Sequence, residues 1–171
     1  HVKVAADCRN RHVLDCLSLR DPAGPGGSKN NRASSHTGHH WKNLTNVLEN
    51  EQFAPIFYNI LNILACRKNL LLITVCQKGT HRSVAVLVVI ELLCNFLRRP
   101  VTTYETSKNN WDMRGHICDF DSTTKEPQSC KECDGMTRAV KVQNHKDIVQ
   151  KLKVMYNEWA EEDPSAAAQL Q

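Results

Sequence analysis

The sequence predicts an α/β fold in three layers, with a mostly parallel sheet between helices. Three observations carry that prediction. The run Leu70 to Val75 is apolar and β-branched, the composition of a strand covered on both faces. A second apolar run, Val84 to Leu97, follows after a short polar loop and stops at Arg98-Arg99-Pro100, as a helix of about four turns would. Val101-Thr102-Thr103-Tyr104 then reads as the next strand, which completes a parallel strand–helix–strand unit with a right-handed crossover. A zinc-knuckle-like segment and a C-terminal helix are added to this core.

Taken in order, Val2, Val4 and Ala6 alternate with polar or small residues, and Asp7-Cys8-Arg9 ends that predicted strand. Polar residues at a strand's carboxyl end are placed to line a site in an open α/β sheet, although Asp7 also suits a turn or a helix cap. Residues 21–40 are rich in Gly, Pro, Ser and Asn and read as a long loop. His36, His39 and His40 lie in it without carboxylate or thiol neighbours, a weak pattern for a metal. Trp41 to Glu49 is a short amphipathic helix, and Pro55 opens a second. There Ile56, Phe57, Ile60, Leu61, Ile63 and Leu64 repeat at helical spacing as a core stripe. Arg138 to Val142 reads as a short strand. Asn144, with Asp147 three residues on, caps a last helix over 144–162, whose buried stripe is Ile148, Leu152, Met155, Tyr156 and Trp159. One domain is expected over residues 1–163, with a flexible tail at 164–171.

The totals describe an ordinary globular chain of 171 residues, 41% hydrophobic and 23% charged, long enough to bury a sizeable core. Val84–Leu97 carries Glu91 and is too short to cross a bilayer, so no membrane partner is expected. No signal-peptide pattern opens the printed sequence. Of the eight cysteines, several sit in apolar helical patterns, one in the polar loop and three near a His; this is unlike a disulfide framework and points to a reducing intracellular compartment, the cytoplasm first. Charge is uneven: residues 1–100 hold 13 Lys/Arg against 6 Asp/Glu, whereas 101–171 hold 9 against 12. A basic half favours anionic ligands, and Arg9, Arg11, Arg20, Lys29 and Arg32 keep RNA open as a partner.

The chemistry concentrates in Cys76-Gln77-Lys78-Gly79-Thr80-His81-Arg82-Ser83. A helix amino terminus has unpaired N–H groups and the positive end of the dipole, so a loop leading into one attracts anions. Gly79 permits backbone angles that turn successive N–H groups inward, and Arg82 offers a planar two-pronged donor. His81 either donates to an anion as a cation or caps the helix as a neutral ring. The predicted ligand is a phosphorylated small molecule or another small anion.

A second constellation is His116-Ile117-Cys118, eleven residues, then Cys130-Lys131-Glu132-Cys133-Asp134-Gly135. Tetrahedral zinc takes four nitrogen or sulfur ligands, and His116, Cys118, Cys130 and Cys133 supply one His and three Cys. The expectation is structural Zn²⁺ within a 111–135 insertion; a Cys130–Cys133 redox pair or unliganded thiols are the alternatives.

Thr74 to Val84, with Ala85 and Glu91-Leu92 beyond it, resembles the C-terminal domain family of RapZ, a bacterial RNase adapter, whose members carry a loop of the type Gly-Cys-Thr-Gly-Gly-x-His-Arg-Ser-Val. Val4-Ala5-Ala6-Asp7-Cys8-Arg9 resembles that family's opening strand and Asp-x-Arg, and Thr37-Gly38 its Thr-Gly before the first helices. The resemblance covers about residues 1–105. It implies an amino-sugar phosphate or similar anion bound in the loop, facing Asp7, Cys76, Gly79, His81, Arg82 and Ser83, and in bacteria an oligomer that also binds small RNA. The chain departs from the family at Gln77-Lys78, which replace Thr-Gly, and at Arg11-His12, where an Asn-Pro stretch is expected. The His/Cys₃ segment and the last helix have no counterpart in the resemblance.

Cys76, five residues and Arg82, with Ser83 next, also fit the signature of cysteine-dependent phosphatases. Cys76 would attack phosphorus, Arg82 and the loop amides would hold the oxygens, and Ser83 would help the thiolate leave. Against this, Val75 stands where those enzymes commonly place a His, and residues 22–75 contain no Asp to protonate a leaving group. The expected function is therefore a phosphate- or phosphosugar-binding sensor domain. A cysteine phosphatase is the first alternative and an RNA- or protein-binding adapter the second.

Overall fold

The computed structural model describes residues 10–19, 37–66, 69–77, 81–105 and 138–170. The described chain runs β1 (Arg11–Asp15), α1 (Trp41–Leu48), α2 (Phe53–Cys66), β2 (Leu71–Val75), α3 (Arg82–Phe96), α4 (Arg138–Glu162) and α5 (Pro164–Leu170). The fold is α/β, with β1 and β2 forming a two-stranded parallel sheet in the register Arg11 with Leu71 through Asp15 with Val75. Asn10 O accepts from the Leu71 amide at one end of the ladder, and the Cys16 amide donates to Val75 O at the other.

The sheet's two faces differ. Leu14 and Cys16 are buried, while Val13 is 64% exposed, Ile73 39% and Val75 38%. The expectation that Leu70–Val75 is covered on both faces is thus corrected: β2 alternates, with one side chain in two turned away from the helices. The parallel crossover also lies elsewhere than expected. It is made by α1 and α2 between β1 and β2, because residues 101–105 join no strand. There, Thr103 Oγ1 donates to Glu91 Oε2 and Glu105 pairs with His39, so side-chain contacts take the place of a ladder.

Below the sheet, the core is built from Leu44, Val47, Phe53, Phe57, Ile60 and Leu61 of α1 and α2 against Ala85, Val86, Val89 and Leu93 of α3. α3 is apolar nearly all round and is buried along most of its length. Pro55 falls in the first turn of α2, where N–H groups have no intrahelical partner to lose. The end of α3 closes with the Arg99 amide on Cys94 O and the Arg98 amide on Asn95 O; Arg98 takes a φ of 54°, the left-handed position usually given to Gly.

The carboxyl-terminal region differs from expectation in three places. Residues 138–142 are the first turns of α4 rather than a strand, and Asn144 lies inside the helix instead of capping it. The Gln143 side chain donates to Asp147 Oδ1 at 2.7 Å, an i,i+4 pair along the helix surface. Ile148, Leu152, Tyr156 and Trp159 are buried as the stripe predicts while Met155 is half-buried, and Trp159 Nε1 donates to Asn62 Oδ1 at 3.0 Å. The expected flexible tail is α5. Asp163 Oδ1 accepts from the Ala166 amide, Pro164 occupies the first helical position, and Ala167 and Leu170 are buried.

Candidate functional site

The site lies where β1 and β2 end side by side and α3 begins. Cys76 follows β2 directly; Arg82 and Ser83 are the first two residues of α3. Parallel strands place their carboxyl ends together, so the β1 exit, Asp15 to Leu19, borders the same elbow. Cys76 is half-buried, with Sγ 3.2 Å from the Oγ of the buried Ser83. Of the remaining loop residues, Gln77 is exposed. Lys78, Gly79 and Thr80 lie outside the described residues, as does Asp7.

One nitrogen of Arg82 has a structural role that its sequence position does not reveal. Its Nη1 donates to Leu17 O at 2.9 Å and to Leu19 O at 3.0 Å, which ties the start of α3 to the chain leaving β1. One edge of the guanidinium is therefore structural. Among the described residues, Nε and Nη2 have no hydrogen-bond partner, so the second edge is available to an anion.

His81 occupies the N-cap position of α3, yet its side chain makes no capping bond and Nε2 is buried rather than presented outward. The ring therefore does not cap the helix. The backbone of His81 matters instead: His81 O accepts the Ala85 amide at 2.8 Å, closing the first turn.

That turn is pressed by Gly38. A Cβ built on Gly38 would stand 2.3 Å from Ala85 N, 2.4 Å from His81 O and 2.7 Å from Val84 Cβ. Only a residue without a side chain lets this segment lie against the amino end of α3. Thr37 is buried beside it, its carbonyl accepting from Asn43 Nδ2 at 2.8 Å and from the His40 amide at 3.1 Å. The Thr37-Gly38 pair thus braces the elbow from the α1 side.

The histidines of this segment have structural partners. His40 caps α1, Nδ1 accepting from the Lys42 amide, and His39 Nε2 pairs with Glu105. His36 is outside the described residues. Among the described residues no group of three or more His, Cys, Asp or Glu gathers as a metal site. His116, Cys118, Cys130 and Cys133 all lie outside them.

Sequence reasoning missed β1 and with it Asp15, Cys16, Leu17 and Leu19. Asp15 is exposed, and its Oδ1 accepts the Leu17 amide at 2.8 Å, a local turn that folds the chain back toward Arg82. Cys16 is fully buried, and that burial, followed by the neighbouring Cys76 charge, pushes its thiol up to about 12. The available signal was Val13-Leu14 followed by Asp15-Cys16, apolar residues ending in a polar pair; Arg11-His12, read as a departure, instead opens the strand.

No protein family, curated protein or solved structure matches the chain.

Proposed function

We propose that the chain is a phosphate-sensing domain that takes a phosphorylated small molecule at the β2–α3 elbow. The observation that supports this best is the bracing of one anion-attracting helix terminus from two sides. Arg82 holds the β1 exit and Gly38 packs against the first turn, so the α3 amides stand fixed at the carboxyl ends of two parallel strands. The free edge of Arg82, the amides of Arg82 and Ser83, and the Ser83 hydroxyl are the groups assigned to the anion. Gln77, Lys78, Gly79 and Thr80 complete the loop on the sequence reading.

The resemblance to the RapZ C-terminal domain family accords with this assignment and refines it to an amino-sugar phosphate, in a three-layer α/β domain working in a reducing intracellular compartment. Small RNA and a second copy of the chain are the partners that follow from it. Among the described residues no helix is long and apolar enough to cross a membrane. Structural Zn²⁺ on His116, Cys118, Cys130 and Cys133 belongs to the same proposal.

Phosphate and glucosamine 6-phosphate should each raise the melting temperature in proportion to the logarithm of their concentration above Kd. Arg82→Lys retains the charge but not the fork, and should blunt the rise. A melting temperature insensitive to both compounds overturns the assignment.

The 3.2 Å approach of Cys76 Sγ to Ser83 Oγ favours a second reading, phosphoryl transfer. Cys76 would displace the leaving group from phosphorus, Arg82 would hold the equatorial oxygens, and the Ser83 hydroxyl would stabilise the departing thiolate. Turnover of p-nitrophenyl phosphate that vanishes in Cys76→Ser selects this reading over sensing.

A further inference from the structure

The ladder between β1 and β2 has one register, each residue of Arg11–Asp15 facing the residue sixty positions later. The Cys16 amide bonds Val75 O at 2.9 Å, so the pairing extends past the last strand residue and sets Cys16 beside Cys76. In-register neighbours in a sheet project from the same face. Both thiols follow that rule, Cys16 lying in the core and Cys76 packing against its edge. Neighbouring strands run about 4.8 Å apart, within the roughly 4.4–6.8 Å Cα separation that a disulfide spans.

The two sulfurs have different surroundings. Cys16 is fully buried, its Sγ 3.6 Å from Leu14 O, whereas Cys76 is half-buried at the mouth of the elbow. Neither is in a disulfide. We propose that Cys16 and Cys76 are a redox pair that closes to an intramolecular disulfide on exposure to a peroxide, and so switches the elbow.

The accessible Cys76 reacts first. Its thiolate attacks one peroxide oxygen, the O–O bond breaks, and the departing hydroxide takes a proton to become water, leaving Cys76 as a sulfenic acid. Cys16 then gives its proton to solvent and attacks the Cys76 sulfur. The S–S bond forms, the S–O bond breaks, and the second hydroxide leaves as water after protonation. Two thiols lose two electrons, and the peroxide is reduced to two waters. The order follows from the environment: burial and the Cys76 charge keep Cys16 protonated, and the neutral sulfenic acid removes the second of these. The closed bridge draws the Cys76 sulfur toward β1 and away from Ser83 Oγ. Its effect on phosphate rests on the proposed function; the bridge itself does not.

The test uses the full reduced chain, treated with hydrogen peroxide and mapped by non-reducing peptide mass spectrometry. The expected result is a Cys16–Cys76 linked peptide in most molecules, reversed by dithiothreitol and retained in Cys66→Ser and Cys94→Ser. Cys16→Ala should stop at a Cys76 sulfenic acid that dimedone captures. Oxidation of Cys76 to sulfinic acid without a bridge, or a bridge from Cys76 to another cysteine, overturns the proposal; mapping of the unmutated chain decides this even where Cys16→Ala folds poorly. Stabilisation by inorganic phosphate should be lost in the oxidised chain and return on reduction. A bridge that leaves that stabilisation unchanged overturns the switch. A bridged chain whose reduced form never responds to phosphate overturns the anion assignment while the redox pair stands.

Discussion

Replacing Gly38 by Ala adds one methyl group where the structure has no room for it. The new Cβ would meet Ala85 N at 2.3 Å and His81 O at 2.4 Å, both backbone atoms of the first turn of α3 and neither able to rotate aside. Overpacking of this kind costs about 1–3 kcal/mol, and contacts with backbone place it at the upper end, about 3 kcal/mol. The unfolded chain gains stiffness from the same change, which offsets about 0.4–1 kcal/mol. The balance is a loss of about 2 kcal/mol, or a fall in melting temperature of roughly 4–8 °C for a chain of this size. Urea denaturation and a thermal melt measure it. The mutant should also lose stabilisation by phosphate more steeply than stability itself, since the clash falls on the amides that would hold the anion. An unchanged or raised melting temperature refutes the reasoning, because open space at Gly38 would leave only the stiffening.

Arg98→Gly should stabilise the chain by about 1 kcal/mol, since Arg98 holds a left-handed φ of 54° that costs an L residue about 1–2 kcal/mol; denaturant midpoints measure this. Asp163→Ala removes the side-chain acceptor of the Ala166 amide and should cost about 1 kcal/mol, seen as earlier exchange of the α5 amides. Stability should fall as pH rises from about 9 toward 12, because the unfolded Cys16 thiol releases its proton near the ordinary 9.0 whereas the folded one keeps it to about 12. The unfolded state then binds fewer protons, giving a slope of up to about −1.4 kcal/mol per pH unit; urea midpoints under reducing conditions should follow it, and Cys16→Ala should flatten it. Metal analysis should find about one Zn²⁺ per chain, with loss of structure on chelation; a metal-free chain of undiminished stability counts against the His116, Cys118, Cys130 and Cys133 site.

The helices were legible where their apolar stripes were. Phe57, Ile60 and Leu61, and Ile148, Leu152 and Trp159, repeat at helical spacing and are buried. α3 was legible for a different reason, as a long apolar run with a hard stop at Pro100. Strands were not. Five residues give alternation little room to show in Arg11–Asp15, which starts with two polar residues and forms the observed partner of β2; the strand expected over Val2–Ala6 lies outside the described residues. Val101–Tyr104 has strand composition, but its neighbours satisfy Thr103 and Glu105 through side chains, a tertiary choice that local propensity does not record. Asn144 reads as a cap until the helix is seen to begin before it. At the elbow, Cys76, Arg82 and Ser83 follow from helix-terminus chemistry alone. The use of one Arg82 edge on Leu17 O and Leu19 O depends on a turn about sixty residues away, which no local pattern encodes.

The central claim is that the β2–α3 elbow holds a phosphate. A crystal structure of the reduced chain grown with tungstate, a heavy phosphate mimic, tests it most directly. The account predicts one strong anomalous peak bounded by the Arg82 and Ser83 amides and the outer edge of the Arg82 guanidinium. A filled elbow with the loop's own side chains in that position, and tungstate elsewhere or nowhere, contradicts it.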